Sequence, residues 1–162
     1  MHRYLLLLAL IAPIYAIAQS PENAFDFWVG NWAITYTNYQ GNKVEANNSI
    51  TKILDGTVLE ENFNDPGTGL KGKSLSVYNP RTRTWHQAWA DNQGSYYDFV
   101  GEIDGKNRIF RTKMVEKDGK QIIQRMRFYD ITKNSLTWDW ESSIDNGKTW
   151  TLAWRLNYTR AN

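Results

Sequence analysis

The sequence predicts an all-β fold, an antiparallel meander of about ten strands closed into a barrel. Apolar and polar side chains alternate along almost the whole chain after Trp28, as they do in strands with one buried face. Asx-Gly pairs and other turn formers recur about every ten residues, which is the spacing of consecutive hairpins. Every connection is short, and a long meander has two exposed edges unless its last strand pairs with its first.

The turns divide the chain into candidate strands. These span residues 30–39, 43–54, 57–64, 72–79, 83–91, 95–103, 107–117, 120–131, 135–143 and 149–159. The longest interval between two strands, Asn64 to Gly72, contains glycines and a proline and is a candidate for a mobile lid. Residues 57–64 and 74–79 have mixed side chains on both faces, so the pattern assigns neither strand an inner face.

Parity assigns an inner face to most of the other strands, because alternate residues of a strand point to the same side. The last strand is the clearest, with large apolar residues at alternate positions and small or polar residues between them. The inward set comprises Trp85, Gln87, Trp89 and Asp91 in the fifth strand, Phe110, Thr112 and Met114 in the seventh, Ile122, Gln124, Met126 and Phe128 in the eighth, Leu136, Trp138 and Trp140 in the ninth, and Trp150, Leu152, Trp154, Leu156 and Tyr158 in the last.

The composition restricts the functional classes. Lys and Arg number 19 against 17 Asp and Glu, without a block of like charge, and a nucleic-acid surface would need a clustered basic face. The chain has no Cys, so disulfides do not stabilise it. Eight Trp and nine Tyr require a large interior, a binding cavity or both. The sequence does not indicate an oligomeric state.

The amino terminus predicts a secretory signal peptide over residues 1–18. A basic start at Arg3 precedes an apolar run from Tyr4 to Ile17, and Ala16-Ile17-Ala18 provides a small-x-small cleavage signal. The apolar run is shorter than the roughly 20 residues that span a bilayer. We therefore expect a secreted or periplasmic single-domain protein, residues 19–162, with no membrane span after cleavage and no lipidated Cys.

The residues between the expected cleavage site and the first strand interrupt the alternation. Ser20 can act as a helix N-cap, and Pro21 suits the first helical position. A short helix or turn here would bring Phe25, Phe27 and Trp28 together as an apolar plug. We expect this plug to close one end of the barrel.

Near the end of the chain, Ser143 to Trp150 fits the pattern S-x-D-x-G-x-T-W, which resembles the Asp-box of sialidases and other β-propellers. A propeller repeats such a unit at a period of roughly 40 to 50 residues, and this chain has one full copy. We therefore expect a structural hairpin. Asp145 would accept backbone N–H groups, Gly147 would adopt the left-handed conformation, and Trp150 would point back into the sheet.

Gly30-x-Trp32, at the start of the first strand, resembles the Gly-x-Trp signature of lipocalins and their calycin relatives. The resemblance implies a barrel whose base is closed by Trp32, with an Arg from the end of the last strand covering that Trp. Parity independently places Arg160 on the inner face, in line with Tyr158. We expect a stabilising cation–π contact between the Arg160 guanidinium and the Trp32 indole.

Four segments together resemble an uncharacterised family of secreted bacterial proteins with a lipocalin-like barrel. They are Phe25–Trp32, Gly72–Ser74, Trp85–Asp91 and Asp145–Trp150, and the likeness covers essentially the whole chain after residue 18. It implies a calycin-like barrel in a periplasmic or extracellular setting. It brings no established reaction or catalytic residue.

The chain is also similar by fold, more distantly, to nitrobindin, a haem-binding barrel. Haem chemistry of that kind requires an axial His, and His86 is the only His after residue 18. Its parity is opposite to that of Trp85 and Trp89, which points it outward, so we expect no haem. One His and no Cys leave carboxylates as the metal ligands, without a clustered spacing, so we expect no metal or other cofactor.

The leading functional hypothesis is a binding protein for a small apolar or aromatic molecule held inside the barrel. A wide barrel has more interior than ordinary side chains fill, and aromatic cavities with a few polar groups are typical small-molecule sites. The expected lining is Trp85, Gln87, Trp89, Gln124, Met126, Trp138, Trp140 and Trp154. Gln87 and Gln124 fit two interpretations equally, a hydrogen bond within the core and a contact with the ligand.

Two alternatives stay open. An enzyme could use the same cavity, with Glu60 or Asp91 as its acid or base and Glu61 as a further candidate. A non-catalytic interaction module would instead have a barrel filled by its Trp side chains. That module predicts no open cavity and an exposed apolar patch around Tyr39, Phe63 or Tyr129.

Overall fold

Residues 20–161, which a computed structural model describes, form a closed antiparallel β-barrel with one extra strand. Two single-turn 3₁₀ helices, Pro21–Asn23 and Asp26–Trp28, precede the sheet. None of the helical segments in this range has the length and apolar character to cross a membrane. The expected signal peptide, residues 1–18, lies outside the described residues. The strands are β1 (Gly30–Thr37), β2 (Lys43–Ile53), β3 (Val58–Asp65), β4 (Leu70–Asn79), β5 (Thr84–Asp91), β6 (Tyr96–Asp104), β7 (Asn107–Thr112), β8 (Val115–Lys117), β9 (Lys120–Tyr129), β10 (Ser135–Ser143) and β11 (Thr151–Arg160).

The predicted closure of the meander is confirmed. From β1 to β7 each strand pairs with the next, β7 pairs with β9, and β10 and β11 continue the sheet. β11 then runs antiparallel to β1, with Trp32 opposite Arg160 and Ile34 opposite Tyr158. This pairing joins the two strands that would otherwise be exposed edges.

The predicted seventh strand, residues 107–117, is wrong in its extent because the segment forms two strands. β8 leaves the barrel and makes a small hairpin with the start of β9. Met114, which parity placed on the inner face, lies between β7 and β8 and is exposed. The break begins at Thr112, whose Oγ1 accepts the N–H of Gln124 at 3.0 Å and donates to its carbonyl at 3.3 Å. The Thr112 side chain thus occupies the N–H and the carbonyl of Gln124, with which the Thr112 backbone would otherwise pair. The β7–β9 register therefore ends at Arg111 and Arg125.

Trp150 and Leu152 do not point into the barrel, so the inward parity predicted for the start of the last strand is wrong. A β-bulge opposite Trp140 and Glu141 shifts the register of β11. One extra residue in a strand moves every side chain before it to the opposite face. Leu152 is exposed, and Trp150 lies beneath the guanidinium of outward-facing Arg125, 3.8 Å from the ring centroid.

The short helix predicted before β1 is present as two 3₁₀ turns, and Pro21 begins the first of them. Ser20 occupies the N-cap position, but the predicted cap is wrong. Its hydroxyl accepts the side-chain amide of Asn23 at 3.1 Å and makes no capping bond to the backbone. In this single 3₁₀ turn the Asn23 N–H donates to the carbonyl of Ser20, at 2.9 Å, so that donor is satisfied without the Ser20 side chain.

The predicted plug closes one end of the barrel. Phe25 is fully buried, stacks on Phe110 with ring centroids 4.3 Å apart, and meets Trp85 edge-on at 5.2 Å. Trp28 is buried as well and meets Phe128 edge-on at 5.1 Å. The plug therefore continues the apolar core inside the sheet.

Arg160 ties the plug to the wall of the barrel. Its guanidinium lies 3.8 Å from the centroid of the Trp32 ring, so the predicted contact is present. The same group donates hydrogen bonds to the carbonyls of Phe27, at 2.9 Å, and Val29. A Cβ at position 30 would overlap this guanidinium, which explains why β1 begins with Gly30.

Candidate functional site

A cavity of about 160 Å³ lies inside the barrel, away from the plug. Strand β5 shows how the barrel interior is divided between plug and cavity. Trp85 on its inner face packs on Phe25 of the plug, whereas Trp89, four residues on, lines the cavity. Hairpin-end residues such as Leu70 and Ser95 form the rim. The lining residues are Glu61, Phe63, Leu70, Trp89, Asp91, Ser95, Tyr97, Phe99, Met126, Trp138, Trp140, Trp154, Leu156 and Tyr158.

Aromatic rings form most of the cavity wall. Trp138 and Trp140 lie nearly parallel, with an interplanar angle of 8° and centroids 6.4 Å apart. Trp154 stands edge-on to Trp138 at 5.8 Å, and Tyr97 stands edge-on to Trp140 at 5.5 Å. Edge-to-face contacts fix ring orientations. The wall is therefore a preformed aromatic surface.

The Trp89 ring reaches the cavity because the facing strand has a glycine. Gly72 on β4 is opposite Asp91 on β5, and a Cβ on Gly72 would overlap the six-membered ring of Trp89. The indole N–H donates to the Asp91 carboxylate at 3.2 Å. Trp89 thus lies across β4, within 6.2 Å of Phe63 measured between ring centroids.

Glu61 is the buried charged side chain of this cavity. Its inward position on β3 leaves it 5% exposed. One carboxylate oxygen accepts the Asn48 amide at 2.7 Å, and the other accepts the Ser74 hydroxyl at 2.6 Å. The Asn48 amide also donates to the Tyr158 hydroxyl at 3.3 Å. Each carboxylate oxygen has two lone pairs, so each retains capacity for a further donor.

Burial controls the ionisation of the Glu61 carboxyl group. It raises the pKa of Glu61 to about 7, although the hydrogen bonds from Ser74 and Asn48 favour the charged form. Burial also raises the pKa of the Tyr158 hydroxyl above its ordinary value, and the negative charge of Glu61 adds to this effect. Both results follow from charge placed in an apolar interior without a cation beside it.

The two proposed acid–base residues, Glu60 and Asp91, differ in position. Glu60 points outward and lies 3.7 Å from the ammonium of Lys73, so it does not line the cavity. Asp91 does line it. Burial opposes the ionisation of Asp91, but hydrogen bonds from Ser95 and Trp89 outweigh burial and lower its pKa. The lowered pKa of Asp91 lies away from the neutral range that acid–base catalysis uses.

The structure brings together five of the residues expected to line the site: Trp89, Met126, Trp138, Trp140 and Trp154. Trp85 is next to the plug and donates to the carbonyl of Pro21 at 2.8 Å. Gln87 is buried and donates to the Ser76 hydroxyl at 2.9 Å. Gln124 has its backbone held by Thr112. These last three do not appear among the lining residues.

The expected lining omitted several residues of the cavity, notably Phe63, Tyr97 and Tyr158, although parity had placed Tyr158 on the inner face. The pattern also did not distinguish Glu61 from its neighbours. The run Glu60-Glu61-Asn62 has polar side chains on both faces of β3, so alternation could not show which of them points inward. A weak signal was present on the facing strands. Asn48 and Ser74 are polar residues opposite β3, and a buried carboxylate needs such donors.

The segment Asn64 to Gly72, expected as a lid candidate, is mostly strand with a short turn between β3 and β4. The buried Asp65 carboxylate accepts the N–H of Gly67 at 2.9 Å, the hydroxyl of Thr68 at 2.9 Å and the hydroxyl of Tyr36 at 2.6 Å. Burial, aided by Asp65, raises the pKa of Tyr36 to about 12. These hydrogen bonds fix the turn, so it is not the long loop that a lid requires.

The hairpin around Asp145 is structural. Its carboxylate accepts the N–H groups of Lys148, at 3.1 Å, and Thr149, at 2.9 Å, and the Thr149 hydroxyl, at 2.6 Å. These bonds, with the Thr149 hydroxyl foremost, hold the pKa of Asp145 well below its usual range. Gly147 has a φ of 82°, the predicted left-handed conformation. Trp150 donates to the Gly147 carbonyl at 3.1 Å.

The open cavity disagrees with the filled barrel of the interaction-module alternative. Of the residues suggested for its outer patch, Tyr39 is exposed, but Phe63 is buried in the cavity wall. Tyr129 is partly covered by Arg127, whose guanidinium lies 4.3 Å from the ring centroid. An apolar patch centred on these three residues is therefore absent from the described part of the chain.

His86 lies exposed on the outer face of β5, as its parity predicted. Among residues 20–161, no group of three or more His, Cys, Asp or Glu side chains is arranged to hold a metal ion. Comparison of the chain with models of known protein families and with curated proteins finds no match. Function must therefore be inferred from the cavity, because a fold alone does not define an activity.

Proposed function

We propose that this chain is a secreted or periplasmic binding protein that holds a small apolar or aromatic molecule inside its barrel. The supporting observation is the cavity, whose wall consists mainly of aromatic side chains with a few polar groups. Such a composition is typical of small-molecule sites. The basic start, the apolar run and the Ala16-Ile17-Ala18 signal support the proposed location.

The volume of the cavity limits the size of the ligand. An engineered cavity of about 150 Å³ lined by apolar side chains admits benzene, and the cavity here measures about 160 Å³. We therefore expect a molecule with one aromatic ring or a short apolar chain. The fixed rings of Trp138, Trp140 and Trp154 offer it flat surfaces and edges without a large loss of side-chain entropy.

The direct test is native mass spectrometry of the protein purified gently from its own host. Tryptophan fluorescence is recorded before and after extraction of anything bound. We expect a retained small molecule whose removal changes the emission, because several Trp rings contact the cavity. A ligand-free mass, together with fluorescence that is indifferent to a panel of single-ring aromatic compounds, would overturn the proposal.

A second candidate function, catalysis in the same cavity, is favoured by the raised pKa of Glu61. A carboxyl group that titrates near neutral pH is suited to general acid–base work. If Glu61 is catalytic, Glu61→Gln abolishes turnover of a cavity-bound compound while neutral ligands still bind. Product analysis by mass spectrometry measures this, and unchanged turnover in the variant would exclude a catalytic role for Glu61.

A further inference from the structure

The ionisable groups that line the cavity are unbalanced in charge. Glu61 and Asp91 are both acidic, and the lining set contains no Lys, Arg or His. Asp91 stands at the end of β5, near the rim, and is half-buried, whereas Glu61 is deep in the barrel. The cavity therefore has acidic groups at two depths and no basic side chain among the described lining residues.

Glu61 is hydrogen-bonded but its charge is not neutralised. The donors that reach it, Asn48 and Ser74, are neutral, and none of the ion pairs among the described residues includes Glu61. A buried carboxylate is costly unless a cation pairs with it. Two other buried acids, Asp139 and Glu141, each pair with an Arg. Asp65, the remaining buried acid, accepts hydrogen bonds from Gly67 and Thr68 in its own turn and from Tyr36.

The surfaces around Glu61 suit a cation. Trp138 and Trp154 meet at right angles and line the cavity with Trp89 and Trp140. The faces of indole rings attract positive charge, and desolvation strengthens the attraction. A carboxylate within an aromatic wall therefore offers a cationic group both a counter-ion and favourable ring contacts.

We propose that the cavity selects organic cations, specifically a protonated amine on a single aromatic ring or short apolar group, with Glu61 as its counter-ion. This inference rests on the proposed function, since it requires that the cavity binds a ligand. The ammonium would donate to the free lone pairs of the Glu61 oxygens. The apolar part would lie against the aromatic wall.

The ionisation state of Glu61 makes the selection dependent on pH. With a pKa of about 7 in the free protein, Glu61 must lose its proton before it can pair with a cation. An alkylammonium group stays protonated below about pH 10, so affinity follows Glu61. Other ionisable groups near it are Tyr158 on β11, Tyr97 on β6, Asp91 on β5 and the Tyr36–Asp65 pair. Burial raises the pKa of Tyr158 and of Tyr36, and hydrogen bonds lower the pKa of Asp91, so these three shifts lead away from the range between pH 5.5 and 8.

The test compares three ligands of similar size that differ in charge: phenethylamine, 2-phenylethanol and 3-phenylpropanoate. Isothermal titration at pH 8 measures their binding to the wild-type protein and to two variants, Glu61→Gln and Glu60→Gln. Glu60 is the matched control, because it is the adjacent carboxylate and points outward toward Lys73. We expect the wild type to bind the amine about tenfold or more tightly than the alcohol, and the carboxylate most weakly.

The variants identify the counter-ion. Glu61→Gln should lose the preference for the amine while still binding 2-phenylethanol, which also shows that the variant is folded. Glu60→Gln should keep the preference. A preference that persists in Glu61→Gln, or equal affinity of the wild type for amine and alcohol, would overturn the inference and leave the proposed function intact. Failure of all three ligands to bind the wild type would count against both proposals.

The wild type alone gives a second readout if the variant does not fold. Between pH 8 and pH 5.5 the affinity for phenethylamine should fall about thirtyfold, as protonation of a group with a pKa near 7 requires. The affinity for 2-phenylethanol should stay nearly constant over the same range. An amine affinity that does not change with pH would contradict the role of Glu61.

Discussion

At the scale of single residues, Glu61 differs most from what a stable barrel requires. An apolar residue in its place would avoid the cost of burying a carboxyl group. Asn48 and Ser74 are arranged to receive it, so the site is built around the carboxyl group. Residues that reduce stability in this way are often placed for binding or chemistry.

Glu61 should make stability depend on pH. Burial raises its pKa in the folded state to about 7 from an ordinary value of 4.5, so between these values the folded protein holds a proton that the unfolded chain releases. The free energy of unfolding therefore falls as pH rises through this window and is level above it. Between pH 4.5 and pH 8, we expect the unfolding free energy of the wild type to fall by about 3 kcal/mol relative to that of Glu61→Gln.

Urea unfolding of both proteins at pH 4.5 and pH 8 measures this effect. Other titrating groups are common to the two chains, so the difference between them isolates position 61. A difference in unfolding free energy that is the same at both pH values would show that Glu61 ionises normally in the folded protein.

Arg160 is the second residue whose environment permits a specific prediction. Its planar guanidinium covers Trp32 and bonds the carbonyls of Phe27 and Val29. Lys keeps the charge but has no planar fork, so Arg160→Lys should lower the unfolding free energy by about 1–3 kcal/mol. Thermal or urea unfolding measures the loss, with exposed Arg81→Lys as the control. Equal stability of the two variants would contradict the role assigned to Arg160.

At the scale of elements, strand β4 shapes the cavity because its residue Gly72 has no side chain. Gly72→Ala places a methyl group where the Trp89 ring lies, and overpacking of this kind costs about 1–3 kcal/mol. We expect a displaced Trp89, lower stability and weaker binding of single-ring ligands. Fluorescence titration and urea unfolding report these changes, with exposed Lys71→Ala on the same strand as the control. Unaltered binding in Gly72→Ala would show that Trp89 does not shape the cavity.

Much of this element-scale structure could be predicted from the sequence, since closed barrels depend on alternation and turn spacing. The inward positions of Trp138, Trp140 and Trp154 follow from strict alternation. The contact of Arg160 with Trp32 was implied by the resemblance to calycins, and parity along β11 supported it by placing Arg160 on the inner face. The exceptions have local causes. The bulge in β11 and the side-chain pairing of Thr112 change the register without a clear mark in the sequence.

The candidate site was less predictable than the fold. The aromatic wall was largely expected because Trp at alternate positions marks a buried face. Glu61 could not be separated from Glu60, because β3 has polar residues on both faces. Its environment depends on Asn48 and Ser74, which are distant in sequence, and long-range contacts of this kind leave no local pattern.

At the scale of the whole molecule, the plug and the barrel form one core. Phe25 touches Phe110, Trp85 and Phe128 across the base. Phe25→Ala should therefore lower the unfolding free energy by about 3–5 kcal/mol in a single cooperative transition.

Tyr39→Ala is the control for this experiment, because Tyr39 is exposed on the surface. It should change the unfolding free energy by no more than about 0.5 kcal/mol. Calorimetry distinguishes these outcomes. A separate early transition in Phe25→Ala would mean that the plug unfolds independently of the barrel.

We propose that the open cavity at the end of the barrel away from the plug receives a small aromatic or apolar molecule. Methionine-methyl NMR tests it most directly, because Met126 lines the cavity and Met114 is exposed outside it. Single-ring aromatic compounds should shift the Met126 methyl resonance, through ring currents, and leave that of Met114 in place. A Met126 resonance that stays fixed at saturating concentrations of the whole panel would contradict the claim.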